Sequence, residues 1–256
     1  MPRWTALVLL LAVPPALAAQ EPAPIEDNSF IIEEAYNQEP RVVQHLLTHE
    51  RTDGAWAAAF GQEWPVGSLR HQLSYELTLV DVGLGAGIGD AAVNYRYQLV
   101  GGEGRNLHVA PRVSALLPIG SRDEGRGTGA AGAELNIPVS ITVHPRLVLH
   151  ANAGSTLLPS VDGPAGASAT LTHFHAGGSM VFLAAPWINL LVESLWLSEQ
   201  GFGASGVERD SRVLLNPGVR FALQAGAVQV VPGASVIIDP DGDEALFLYL
   251  SAEHPF

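Results

Sequence analysis

From Ser68 to Leu79 the side chains sort into two sets. Leu69, His71, Leu73, Tyr75, Leu77 and Leu79 fall on one side, and Arg70, Gln72, Ser74, Glu76 and Thr78 on the other. A period of two is the mark of a β-strand with one apolar face. The last stretch, Glu244 to Phe256, repeats it: Leu246, Leu248, Leu250, Ala252, His254 and Phe256 oppose Ala245, Phe247, Tyr249, Ser251, Glu253 and Pro255. Past the N-terminus no apolar run reaches the roughly 18 residues of a transmembrane helix. A chain that is 47% hydrophobic and only 15% charged can therefore enter a membrane only by strands.

Twelve stretches carry the alternation. The first six are Val42 to His49, Ala55 to Trp64, Ser68 to Leu79, Ile88 to Leu99, Asn106 to Leu117 and Ala131 to Val143. The second six are Arg146 to Leu157, Ala169 to Leu183, Trp187 to Ser198, Ser211 to Gln224, Ala227 to Ile238 and Glu244 to Phe256. Their lengths bracket the roughly 9–11 residues that cross a bilayer at a tilt. Connections after the even-numbered stretches are short, as at Pro65–Gly67, His144–Pro145 and Pro186. Most of those after odd ones are longer, as at 118–130, 158–168 and 199–210. Face-to-face sheets also pair an apolar with a wet face, so the pattern alone leaves a soluble sandwich open. The alternation of loop length favours a closed barrel with short turns on one side of the membrane. The expectation is an all-β fold: a single transmembrane antiparallel up-and-down β-barrel of about twelve strands over residues 42–256, with both termini periplasmic.

Residues 1–19 read as a signal peptide, with Arg3, the apolar core Ala6 to Val13, and small residues at Ala16-Leu17-Ala18. Residues 20–41 form an acidic N-terminal arm, a periplasmic segment or partial plug. A short helix is expected at Ile31 to Ala35, started by Asn28 or Ser29. The implied location is the outer membrane of a Gram-negative bacterium. The partners there are lipid, lipopolysaccharide and the barrel-assembly machinery, which would read Phe256 as an assembly signal. The net charge of -13 argues against nucleic acid. With no cysteine, an exported chain must gain its stability from a closed architecture. All 13 basic residues are Arg, and each can grip a carboxylate in bidentate fashion.

If the apolar faces meet lipid, the polar faces line a lumen. That places Arg70, Glu76, Asp90, Arg96, Arg112 and Glu134 inside, followed by Arg146, His150, His173, His175, Glu193, Arg212 and Arg220. Mixed charges in a narrow tube must pair, so these residues form either a stiffening ion-pair network or the lining of a permeation path. His173 and His175 share a strand face about 7 Å apart, but no further ligand completes a metal site. The acidic turn Asp239 to Glu244 falls short of a full calcium loop. The glycine-rich Gly83 to Gly89 precedes a strand, not a helix, so it is no nucleotide loop. No cofactor or catalytic residue is assigned.

Ile25 to Phe30, Glu33 to Pro40 and Val42 to His45 resemble proteins related to the outer-membrane family named for the meta-cleavage pathway of phenol degradation. So do Gln62-Glu63-Trp64-Pro65, Arg70 to Tyr75, and Gly87 to Asp90 leading into Asn94 to Tyr97. The match covers mainly residues 25–100. The resemblance implies an outer-membrane barrel that transports small hydrophobic or aromatic molecules. A barrel enzyme, or a structural barrel without transport, remains the alternative.

Overall fold

The computed structural model describes residues 25–256 except residues 103, 227, 241 and 243. The signal-peptide expectation lies outside the described residues. Fifteen strand segments join in one antiparallel sheet. The first four are β1 (Val42–Thr52), β2 (Ala55–Val66), β3 (Ser68–Asp81) and β4 (Gly87–Tyr97). Then come β5 (Leu107–Val109), β6 (Arg112–Leu117), β7 (Gly132–Asn136), β8 (Val139–His144) and β9 (Leu147–Asp162). The rest are β10 (Ser168–Ala185), β11 (Ile188–Gly203), β12 (Gly206–Phe221), β13 (Leu223–Ala225), β14 (Val228–Ile238) and β15 (Glu244–Pro255).

Three pairs of segments are halves of one stave: β5 with β6, β7 with β8, and β12 with β13. The barrel therefore has twelve staves. It closes where β15 pairs with β1, in register from Val42↔Pro255 to Arg51↔Leu246. Closure removes the open edges that would otherwise expose unpaired backbone to lipid. Proline explains two of the interruptions. Pro111 and Pro138 lack the N–H a ladder needs, but their carbonyls still accept from Tyr97 N–H (3.0 Å) and Ala110 N–H (3.1 Å). Pairing resumes in the same register on either side of the break.

The apolar rows face out. On β15, Leu246, Leu248 and Leu250 are 47%, 43% and 39% exposed, while Ala245, Phe247, Tyr249 and Ser251 are buried. Leu77, Val93, Val113, Leu135, Leu190 and Val213 are likewise exposed. A continuous belt of large apolar side chains around a closed barrel is the surface of a protein solvated by lipid. Aromatic residues mark its lower edge, beside the short turns. Trp187 stacks on Phe221 at 6.5 Å, Trp64 meets Tyr75 at 6.0 Å, and His71 meets Tyr97 at 5.3 Å. Amphipathic rings concentrate at that depth.

Several boundaries differ from expectation. The loops expected at 158–168 and 199–210 are mostly strand. β11 and β12 run on as a hairpin, pairing Glu199↔Asp210 and Gln200↔Arg209 up to Gly203↔Gly206. These residues lie past the apolar belt, where neither face needs to be apolar and the period-two signal disappears. The connection after β4 spans residues 98–106 and is longer than expected. No helix forms at Ile31 to Ala35, where the chain bends instead.

Phe256 ends the closing stave 68% exposed, its N–H donating to Arg41 O at 2.8 Å. Deleting it removes one backbone bond and an exposed ring. The inserted barrel should lose little stability, while the yield of folded protein in the membrane should fall severalfold. Comparing heat-modifiable protein made in cells with protein refolded in detergent separates the two effects.

Candidate functional site

The inward faces carry a band of buried polar side chains: Gln72, Arg96, Asn136, Ser140, His150, Asn152, Asn189, Glu193, Asn216 and Arg220 are all at most 7% exposed. Such groups need hydrogen-bond partners when withdrawn from water. The partner here is the N-terminal segment, residues 25–40, which enters the barrel and is held largely by its main chain.

Glu193 on β11 is the central grip. Its Oε1 accepts the N–H groups of Phe30, Ile31 and Ile32 at 3.1, 3.0 and 2.9 Å, and its Oε2 accepts Asn216 Nδ2 at 2.6 Å. Three successive N–H groups converging on one carboxylate make an anion nest. The expected helix is absent because donors it would use internally, the N–H groups of Glu33 and Ala35, go to Asn152 and Ser140 on the wall. Asn152 holds Glu33 at both main-chain atoms, accepting its N–H and donating to its carbonyl, each at 2.7 Å. Gln72 accepts the N–H of Gln38 at 2.7 Å, and Gln98 accepts that of Asn37 and donates to Ala35 O. Asn189 and Arg220 donate to Glu26 O, and Arg220 also to Asn28 O.

Ser140 and His150 are bonded at 2.8 Å, a pairing that in another setting would suggest a nucleophile and its base. Here a neutral imidazole serves a different purpose. Its Nε2 faces the carbonyl of Asp27 at 2.9 Å, which can only accept, so Nε2 carries the proton. Nδ1 then accepts from Ser140 Oγ, which in turn accepts Ala35 N–H at 2.8 Å. Ser140 is fully buried, and the chain of bonds seats two points of the segment.

Side chains of the segment add fit and charge. Phe30 packs on Phe247 and Tyr249 at 5.6 and 5.3 Å between ring centres. It lies over Gly218 and Gly233, where an added Cβ would come within 2.4 and 2.7 Å of its ring. Ile32, 2% exposed, sits over Gly177 in the same way. Glu33 pairs with Arg112 at 2.8 Å and lies 3.6 Å from Arg96. Arg112 also holds Glu134 at 2.7 Å, and Arg96 holds Glu63 at 3.0 Å.

Above the segment lies a chamber of about 480 Å³. Its floor is Asn28 to Glu34. Its wall carries Glu63, Glu76, Asn94 and Glu134, with Leu46 and Leu116 two strands to either side of Glu76, and Leu195 and Leu197 on β11. Near the outer end, Asp90 ties down the long loop by accepting from Gly120 N–H, Thr128 N–H and Thr128 Oγ1.

The charged residues singled out by alternation fall in different places. Arg96, Arg112, Glu134, His150, Glu193 and Arg220 meet the segment or its ion pairs. Glu76 lines the chamber without touching the segment. His175 reaches Asn136 at 3.1 Å and His173 accepts Gln200 N–H at 3.2 Å. Among the described residues, no three His, Asp or Glu side chains converge as metal ligands. Arg212 pairs with Glu199 on the outer hairpin, and Arg146 is exposed in a turn. Arg70 is exposed near the start of β3, 3.5 Å from the hydroxyl of Tyr97, away from the segment. The register shift at Pro65/Val66 falls just beside it. The neutral grips, Gln72, Gln98, Ser140, Asn152 and Asn189, were not among the singled-out residues. All but Gln98 belong to the inward-facing staves, and nothing but their polarity marks them.

No protein-family model matches the chain, and no curated protein matches it in sequence. Solved structures match its shape. The COG4313 outer membrane channel from Pseudomonas putida F1 aligns with a TM-score of 0.62 at 13% identity, over 86% of this chain and 98% of that one. A NanC porin aligns at 0.59 and 7% identity, over 84% and 100%. The KdgM porin aligns at 0.55 and 10%, over 83% and 99%, and has also been solved with disordered oligogalacturonate. At these identities the likeness is one of fold: this chain shares the closed antiparallel barrel of outer-membrane porins and channels.

Proposed function

We propose that this protein is an outer-membrane channel for small molecules with an apolar or aromatic body, closed at rest by its own N-terminal segment. The lower lumen is filled by a segment that is not part of the wall, and this observation carries the reading. Wall strands cannot leave without breaking the barrel, whereas residues 25–40 are held by side-chain bonds that can be exchanged for water. The part-apolar chamber above them is large enough for a small ligand. The folds of the NanC and KdgM porins and of the Pseudomonas channel support a pore. An oligogalacturonate, bound by the KdgM porin, is a polyanion. The five carboxylates Glu33, Glu34, Glu63, Glu76 and Glu134 line this chamber, which does not favour such a substrate. The leucines among the chamber's lining residues and the resemblance over residues 25–100 support a hydrophobic or aromatic class instead. Under this reading the leader directs export and Phe256 addresses the chain to the barrel-assembly machinery.

Deleting residues 25–40 from the mature chain should turn small, infrequent conductance steps in planar bilayers into large, steady ones, with the barrel still heat-modifiable on gels. Equal conductance in the two proteins would remove the segment from gating. A deleted barrel that conducts nothing would remove the channel.

A further inference from the structure

We propose that the closing seam of the barrel carries a zinc site on its outer surface, with His45 of β1 and His254 of β15 as its two protein ligands. On β1, Gln44 is buried and bonds Gln38, and Leu46 lines the chamber, so His45 points out. On β15, Glu253 reaches Gln44 inside, so His254 also points out. The first and last staves meet here, pairing Val43↔His254 and His45↔Ala252. The two imidazoles bridge that diagonal: Nε2 faces Nε2 at 3.0 Å, with ring centres 5.2 Å apart. Both residues are half-buried. They lie level with Gln62 and Tyr75, which follow in register on β2 and β3. His49, further along the same face of β1, stacks on Trp56 and takes no part.

The way each ring is held suits a metal. Metal-bound imidazoles donate their second nitrogen to a carbonyl, carboxylate or water, which fixes ring and tautomer. His254 already does so: its Nδ1 lies 3.0 Å from Pro255 O, which can only accept, so Nδ1 carries the proton and Nε2 offers a lone pair. His45 Nδ1 lies 2.9 Å from the amide of Gln62, whose other end is 2.7 Å from the hydroxyl of Tyr75. At rest Gln62 Nε2 donates to His45 Nδ1, and His45 Nε2–H donates to His254 Nε2. An amide can turn over and accept instead. Gln62 Oε1 then accepts from His45 Nδ1–H, its Nε2 donates to the Tyr75 oxygen, and both Nε2 lone pairs face one point. No proton leaves the pair; one moves from Nε2 to Nδ1 of His45. Two imidazole nitrogens on a tetrahedral zinc, each 2.0–2.1 Å from it, stand about 3.3 Å apart, so the rings need shift by only a few tenths of an ångström. The other two positions face outward, to water and to the phosphates of lipid headgroups. A hard ion such as magnesium takes oxygen ligands and does not suit two imidazoles.

A zinc ion held this way ties His45 to His254 across the seam between the first and last staves. In the unfolded chain the two are far apart, so the ion favours the closed barrel. Calorimetry on the untagged mature chain, refolded in a non-ionic detergent at pH 7.5, tests the site with zinc chloride, and with magnesium chloride as the control. One zinc should bind per barrel, and magnesium should give no saturable heat. His45→Ala and His254→Ala should each weaken zinc at least tenfold, and Gln62→Leu about tenfold, all with unchanged heat-modifiable mobility. His173→Ala should bind like the parent. At a hundred times its Kd, zinc should raise the ratio of folded to unfolded barrel in urea about a hundredfold in the parent but not in the two histidine variants, and EDTA should reverse the gain. Where alanine prevents folding, His45→Gln and His254→Gln serve the same comparison. No saturable zinc binding by the parent would overturn the proposal. So would folded His45 and His254 variants that bind like the parent, zinc lost on replacing His173, or bound zinc that leaves the urea transition where it was.

Discussion

Replacing Glu193 by alanine should release the N-terminal segment. One carboxylate accepts three main-chain N–H groups and one amide, and a hydrogen bond to a charged group contributes about 1.5–3 kcal/mol. The contributions are not additive, and water can enter the vacated space. A net cost of about 3 kcal/mol is reasonable, which raises the ratio of released to seated segment about a hundredfold. Glu193→Gln keeps one carbonyl oxygen for the same donors and should have a smaller effect. The chain contains no cysteine, so Ser29→Cys supplies a single reporter thiol at a buried position. Its labelling by a membrane-impermeant thiol reagent should accelerate strongly with Glu193→Ala and modestly with Glu193→Gln. Equal labelling rates in all three would show that the carboxylate does not hold the segment.

Replacing Leu248 by arginine should destabilise the barrel by about 2–4 kcal/mol, the cost of a cation on a lipid-facing position near mid-bilayer. Leu248 lies midway along β15 and is 43% exposed. Thr48 lies one strand away and lines the chamber. Arginine there faces water and carboxylates and should cost less than about 1 kcal/mol. Urea titrations in lipid vesicles, followed by heat-modifiable mobility, measure both. Equal costs would mean that the two faces do not differ in environment, and a costlier Thr48→Arg that they are assigned the wrong way round.

The staves were legible because lipid imposes a rule on every second residue. Leu69 to Leu79 and Leu246 to Leu250 obey it without help from any distant part of the chain. The rule stops where the lipid stops. Beyond the belt, Glu199, Gln200 and Asp210 pair as strand although neither face is apolar, so their sequence looks like that of a loop. The bend at Phe30 to Ile32 was illegible for another reason. Local sequence favours a helix start there, but donors the helix would use internally, at Glu33 and Ala35, are claimed by Asn152 and Ser140, more than 100 positions away. No local signal encodes a partner at that distance. Charge, finally, is a partial guide to the lumen. It marks Glu193 and Arg220 but not Gln72 and Asn152, because a neutral amide can also grip a peptide unit and looks ordinary in sequence.

The segment in the lumen is joined to the first stave through Pro40 and Arg41, the latter in the left-handed conformation with φ 60°. It is thus a tethered ligand of its own barrel. A short flexible tether gives an effective concentration of the order of millimolar, and this does not change with the amount of protein in the membrane. A free peptide of the same sequence would have to reach that concentration merely to compete for half the barrels. Under the proposed gating, closure is first-order and self-contained: every barrel carries its own stopper, and crowding or dilution leaves the open fraction unchanged. Because the wall reads peptide groups more than side chains, most positions of the stopper should also tolerate substitution, and Phe30 and Ile32, seated over glycines, are the ones where shape is fixed.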